Sequence, residues 1–150
     1  MPVNDPLVNP ATTDAVQDLV VAALEVRRKV IQQLGLTETE LGALEHLSLT
    51  PSSPGELARL LHVSTAASTG VVDRLEGRGH VERRPHPTDR RRTEVHLTSS
   101  GRGAIERQLM PMLAGLSALD EGLSESERAT VLKYLRGVVQ AFSQVNSPTS

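Results

Sequence analysis

Apolar residues recur at three- and four-residue spacing through Val16, Leu19, Val20, Ala23, Leu24, Val30 and Ile31, which is the rhythm of one face of an α-helix, and Gly35 ends the run. Asp14 stands at the N-cap position, so this helix is predicted over 14–34. The residues before it carry three prolines with several Asn and Thr and read as a flexible tail, 1–13; "NSPTS" reads as another, 146–150. Thr37 followed by Glu40 is a capping-box pattern that opens a second helix through Leu41, Leu44 and Leu47. "TPSSPGE" interrupts the chain. "PGELARLLHVS" then predicts a short helix with Leu57, Leu60 and Leu61 on its buried side. Another helix is predicted from Thr65 to Arg78, with Gly77-Arg78-Gly79 supplying its stop.

Beyond Gly79 the period shifts from helical to alternating. Val81–Arg84 and Thr93–Leu97 have strand character, with Val95 and Leu97 on one face, and "PHPTDRR" between them is a turn, so the two form a hairpin. From Thr98 the helical rhythm returns through Ile105, Leu109, Met112, Leu113 and Leu116, with a kink expected at Pro111. Ser124 and Glu127 cap a last helix whose apolar stripe is Leu132, Leu135, Val138, Val139 and Phe142.

Helix, short helix, helix and two-stranded ribbon, in that order, describe a winged helix-turn-helix over 36–98. The fold class is mainly α with a small β-hairpin wing. The link His62-Val63-Ser64 sets the helix after it at a steep angle, so that this helix enters a major groove. Its groove-facing side chains are predicted to be Thr65, Ser68 and Thr69, with Val72 beneath or beside them; hydroxyls of this kind bond phosphates and base edges. Gly70 inside the helix costs about 1 kcal/mol relative to Ala, which a close approach of backbone to DNA would offset; an ordinary packing position is the alternative. Arg74 either reaches phosphate or pairs with Asp73, Glu76 or the preceding helix. The terminal segments, 14–34 and 99–145, are expected to form a helical dimerisation region, because the last helix has too little of its own domain to cover its stripe.

Charge sharpens this picture. The 150-residue chain has a formal net charge of −2. Between Ser64 and Arg92, however, seven arginines face four acids, a local charge of +3 that leaves −5 elsewhere. One Tyr, one Phe and no Trp imply an aliphatic core and exclude a stacking platform for RNA. Without cysteine there is neither disulfide nor thiolate chemistry. His62, His80, His86 and His96 show no metal-ligand spacing, so no metal is expected, and no cofactor either. No convergent acid, base and nucleophile set is visible, which argues against an enzyme. No apolar run suits a membrane and the N-terminus lacks signal-peptide features, so a cytoplasmic location is expected.

The stretch from Leu36 to Thr98, with "LTETELGALEHL", "ELARLLHVS", "VVDRLEGRGHVER" and "DRRRTEVHLT", resembles the DNA-binding domain of the MarR family of transcriptional regulators. That resemblance implies a homodimer with intertwined first and last helices, bound to double-stranded DNA at a palindromic operator. It also implies a repressor relieved by a small-molecule effector. An effector would be modest in size and apolar or amphipathic, since Tyr134 and Phe142 are the only rings available to it. The family's wing pattern falls on Asp89 and Arg91: Asp89 would hold Arg91 by an ion pair, and Arg91 would enter the minor groove. Arg90 and Arg92 would be left for phosphates. Members often carry a larger polar or basic residue where Gly70 stands, so base readout here is expected to be thin. The competing reading, a winged helix that binds protein, predicts an apolar or uncharged wing.

Overall fold

The computed structural model describes residues 9–89 and 91–145. Eight elements follow one another: α1 (Pro10–Leu34), α2 (Glu38–Leu49), α3 (Pro54–Leu60), α4 (Thr65–Gly77), β1 (Val81–Pro85), β2 (Thr93–Leu97), α5 (Ser99–Glu121) and α6 (Glu125–Val145). The fold is mainly helical with one antiparallel hairpin. The chain divides into two compact units, one reaching to Gln108 and the other starting at Leu109.

Helix α1 starts four residues before the predicted Asp14. Asn9 is the N-cap, its side chain accepting from the Ala11 amide at 3.0 Å, and Pro10 occupies the first turn. Proline there gives up a donor that has no helical partner anyway, so a residue that signals a loop inside a helix favours the start of one. Residues 10–13 therefore belong to the helix and not to the tail; the remaining tail residues, 1–8 and 146–150, lie outside the described residues. Gly35 ends α1 at φ +60°, a conformation open to glycine at little cost.

Helices α2 and α3 both open on complete capping boxes, Thr37 with Glu40 and Ser53 with Glu56. The core of the first unit lies between α2, α3, α4 and the hairpin, where Leu44, Leu57, Leu75, Val72, Val81 and Val95 are fully buried. Leu57 takes the place expected of it, whereas Leu60 is half exposed because the buried side of the short α3 is completed by Ala58. Strands β1 and β2 pair with Val81 opposite Leu97 and Pro85 opposite Thr93. Ser52 adds a third short rung, exchanging backbone hydrogen bonds with Val95 at 3.3 and 2.9 Å. Thr98 then fastens the hairpin exit, its hydroxyl donating to the Gly79 and His80 carbonyls while accepting from the Gly101 amide.

In the second unit the end of α5 and the start of α6 are joined by Arg128, which donates to the Asp120 carboxylate at 2.9 Å and to the Asp120 carbonyl at 2.6 Å. Ser124 and Glu127 form the predicted capping box. Pro111 lies inside α5, which continues helical through it. No residue of α6 is buried. No helix among the described residues is long and apolar enough to cross a membrane.

Candidate DNA interface

Ser64 caps α4, its hydroxyl accepting from the Ala67 amide at 3.1 Å. The exposed first turns of the helix present Thr65, Ala66, Ala67 and Thr69. Thr69 Oγ1 donates to the Thr65 carbonyl at 3.0 Å, which leaves its lone pairs as acceptors. Ala66 and Ala67 were not singled out by the sequence pattern, although their methyls suit contact with thymine. Ser68 corrects the sequence reading. It is fully buried and donates to the Pro54 carbonyl at 2.8 Å, so its hydroxyl ties α4 to the start of α3 and does not face a groove. Val72 lies in the core beneath that same side. At Gly70 a Cβ would make only an ordinary contact with Arg74 at 3.5 Å, so packing within the chain does not demand a glycine there.

Arg74 pairs with an acid, but with none of the partners expected for it: neither Asp73, Glu76 nor the preceding helix α3 takes it. Its Nε donates at 2.6 Å to Glu40 of α2, whose side chain is 2% exposed. Arg78 lies 4.0 Å from the other Glu40 oxygen and donates to the Gly35 carbonyl at 2.5 Å. Burial pushes the Glu40 carboxyl up; the Arg74 hydrogen bond, the Thr37 amide and the two positive charges outweigh it and hold the group below its ordinary value. Asp73 and Glu76 bind Arg83 of β1 instead, which fixes the root of the wing to α4. Glu40 and Arg83 were not foreseen as interface-supporting residues, because their partners are distant in sequence.

The wing tip is a pair of nested turns. Asp89 accepts at its carboxylate from the Arg91 amide at 3.1 Å and at its carbonyl from the Arg92 amide at 2.9 Å. The expected ion pair between Asp89 and the Arg91 guanidinium is thus replaced by a hydrogen bond to the Arg91 backbone: an aspartate two residues upstream closes a local turn, and the arginine side chain is left outside it. Arg92 lies 3.8 Å from Glu56 of α3, and Arg84 pairs with Glu82. Arg90 lies outside the described residues. Of the described arginines between Ser64 and Arg92, Arg91 alone has no carboxylate partner, and it is exposed. Among the described residues no His, Asp and Glu side chains group in a way that could hold a metal ion.

The model of the MarR family matches residues 34–92, the span from α2 to the wing tip. The transcriptional repressor NicR of Pseudomonas putida is 30% identical over 136 residues, covering 86% of this chain and 85% of NicR. YetL, a transcriptional repressor of Bacillus subtilis, is 34% identical over 91 residues, or 61% of this chain and 54% of YetL, so the match spans about half of that protein. Among solved structures, the transcriptional regulator Tm0710 of Thermotoga maritima superposes with a TM-score of 0.67 at 25% identity, over 94% of this chain and all of that one. The matched span, the relatives that regulate transcription and the shared fold agree, and the chain belongs to the MarR family of transcriptional regulators.

Proposed function

We propose that two copies of this chain bind a palindromic operator, each seating α4 in a major groove and extending its wing into the adjoining minor groove, and that the protein is a cytoplasmic, non-enzymatic repressor. The observation that carries this reading is the state of Arg91: exposed at the tip of a turn tied by Asp89, and without a carboxylate partner among the described residues. A narrow minor groove concentrates negative potential and accepts such a guanidinium. Thr65 and Thr69 contact base edges or phosphates, Arg92 and Arg90 contact phosphates, and Arg74 acts mainly by holding α4 in place. Gly70 lets the helix backbone approach the duplex. NicR and YetL are repressors, which supports the direction of regulation.

Segments 14–34 and 99–145 form the dimer in this reading, and 36–98 the DNA-binding lobe. Dimerisation sets the two α4 helices about 34 Å apart, one DNA turn. A small apolar effector relieves repression only by binding more tightly to a form with a different spacing.

Substituting Arg91→Ala tests the reading. Duplexes bound by the protein are first selected from random DNA, and affinity is then titrated by fluorescence anisotropy. The substitution is expected to weaken binding by about 1–3 kcal/mol and leave the oligomeric state unchanged. Native affinity should fall steeply with added salt as phosphate counterions are released. Equal affinity of the two proteins removes Arg91 from the interface.

A further inference from the structure

The wing tip contains a second side-chain acceptor that sequence motifs did not mark. His86 follows β1 and is only 25% exposed. Its Nδ1 lies 3.3 Å from the Thr88 amide nitrogen, 3.3 Å from the Asp89 amide nitrogen and 3.2 Å from the Thr88 hydroxyl. On the other side of the ring, Nε2 lies 3.3 Å from one oxygen of Glu94, whose second oxygen lies 3.2 Å from His96 Nε2. An amide N–H can only donate, so both amides require a lone pair on Nδ1. The ring proton then sits on Nε2, where the Glu94 carboxylate accepts it. The His86 backbone amide meanwhile donates to the Arg92 carbonyl at 2.9 Å and closes the base of the tip. Arg91 is therefore carried on a backbone shaped by two acceptors in series, the His86 imidazole and the Asp89 carboxylate.

We propose that His86 is a positioning residue for the DNA-reading wing, acting through the neutral Nδ1 lone pair, so that protonation of its imidazole weakens DNA binding. The proposal rests on the assignment of the wing as a DNA contact. The charged groups around the ring act in both directions. Glu94 of β2 favours the imidazolium. Arg84 of β1, opposite Glu94 and paired with Glu82, and Arg92 of the tip, paired with Glu56 of α3, oppose it. His96 shares the Glu94 carboxylate, and Asp89 is engaged with the Arg91 amide. A proton on Nδ1 would point at two N–H groups, with only the Thr88 hydroxyl able to turn and accept it. Both amide bonds that define the turn are lost. The predicted sign is opposite to that of charge alone, since an added positive charge beside a polyanion tightens binding.

The test uses the whole 150-residue chain and a duplex selected from random DNA, with anisotropy titrations at fixed ionic strength at about pH 8 and about pH 5.5. Native protein is expected to lose roughly tenfold in affinity on acidification, and His86→Ala to be about as weak at both pH values. His86→Asn, whose Oδ1 can replace the Nδ1 acceptor but does not titrate, should bind like native protein at the higher pH and keep that affinity at the lower one. Circular dichroism at each pH confirms that the proteins compared are folded. Native affinity that holds or rises on acidification overturns the proposal, as does a His86→Asn protein no stronger than His86→Ala. Arg91→Ala is measured alongside: if it too is without effect, the assignment of the wing as a DNA contact is what fails.

Discussion

At the residue scale, what separates the side chains of α4 is which atoms they have left to offer. Ser68 uses its hydroxyl on the Pro54 carbonyl inside the core, whereas Thr65, one turn before it, and Thr69, the next residue, remain exposed. Ser68→Ala is therefore expected to cost about 1 kcal/mol of stability, the net worth of one buried hydrogen bond, while leaving DNA affinity unchanged at temperatures where the protein is folded. Urea denaturation and anisotropy measured on the same sample check both halves; a loss of affinity without a loss of stability would return Ser68 to the groove. The arginines divide in the same way. The sequence shows a cluster of guanidiniums, but only the tertiary structure reveals that Arg74, Arg78, Arg83 and Arg84 are already engaged with acids while Arg91 has none among the described residues. The family's wing pattern marked Asp89 as an orienting residue, yet whether it grips a side chain or a backbone amide is a matter of a few ångströms that spacing does not encode.

At the element scale, α4 is held at its C-terminal half by a buried carboxylate from another helix. Glu40 caps α2 through the Thr37 amide at 2.9 Å and receives Arg74 at 2.6 Å, so one side chain fixes both a helix start and the seat of the recognition helix. Beside it, burial and the Arg78 charge push His80 toward neutral imidazole against the opposing pull of Glu40. Glu40→Ala should destabilise the protein by on the order of 2–3 kcal/mol, below the ~3–5 kcal/mol of a fully buried pair because Arg74 is half exposed. The pH dependence has a definite sign. A carboxylate whose folded-state value is depressed contributes stability above its ordinary value of 4.5 and loses that contribution as pH falls through the lower folded value. The difference in urea midpoint between native protein and Glu40→Gln should thus be constant above about pH 6 and shrink as pH drops below the ordinary carboxyl range; a gap independent of pH down to acid would mean that the charge of Glu40 contributes nothing. The capping boxes of α2 and α6, the strand alternation and the glycine stop of α1 were readable, because each is decided within a few residues; the Ser53–Glu56 box of α3 was not singled out. The early start of α1 was misread for a related reason: Pro10 has opposite meanings inside a helix and at its first turn.

At the scale of the whole molecule, apolar surface is distributed unevenly. The first unit buries Leu44, Leu57, Leu75, Val72, Val81 and Val95, whereas α6 leaves Leu132, Leu135, Val139 and Phe142 exposed, and α1 does the same with Leu19, Val20 and Leu24. Stripes of that extent on a regulator call for a partner surface, and the proposed dimer supplies one. Leu135→Glu combined with Phe142→Glu should convert the species seen by analytical ultracentrifugation from dimer to monomer. It should also lower affinity for a two-half-site duplex by more than about tenfold, because the second half-site contact is no longer tethered to the first. A variant that remains dimeric would place the partner surface elsewhere.

The order of elements, the hairpin and the net positive balance of the Ser64–Arg92 segment were determined by the sequence alone, since hydrophobic period, capping and turn chemistry act over spans of two to seven residues. The tertiary structure decided which groups remain available. Ser68 turned inward, Arg74 committed to Glu40, and the His86 ring closed the wing turn, each through a contact between elements or across a turn. Pairings of that kind depend on where separate segments meet, and the linear pattern of apolar and polar residues carries no record of that distance.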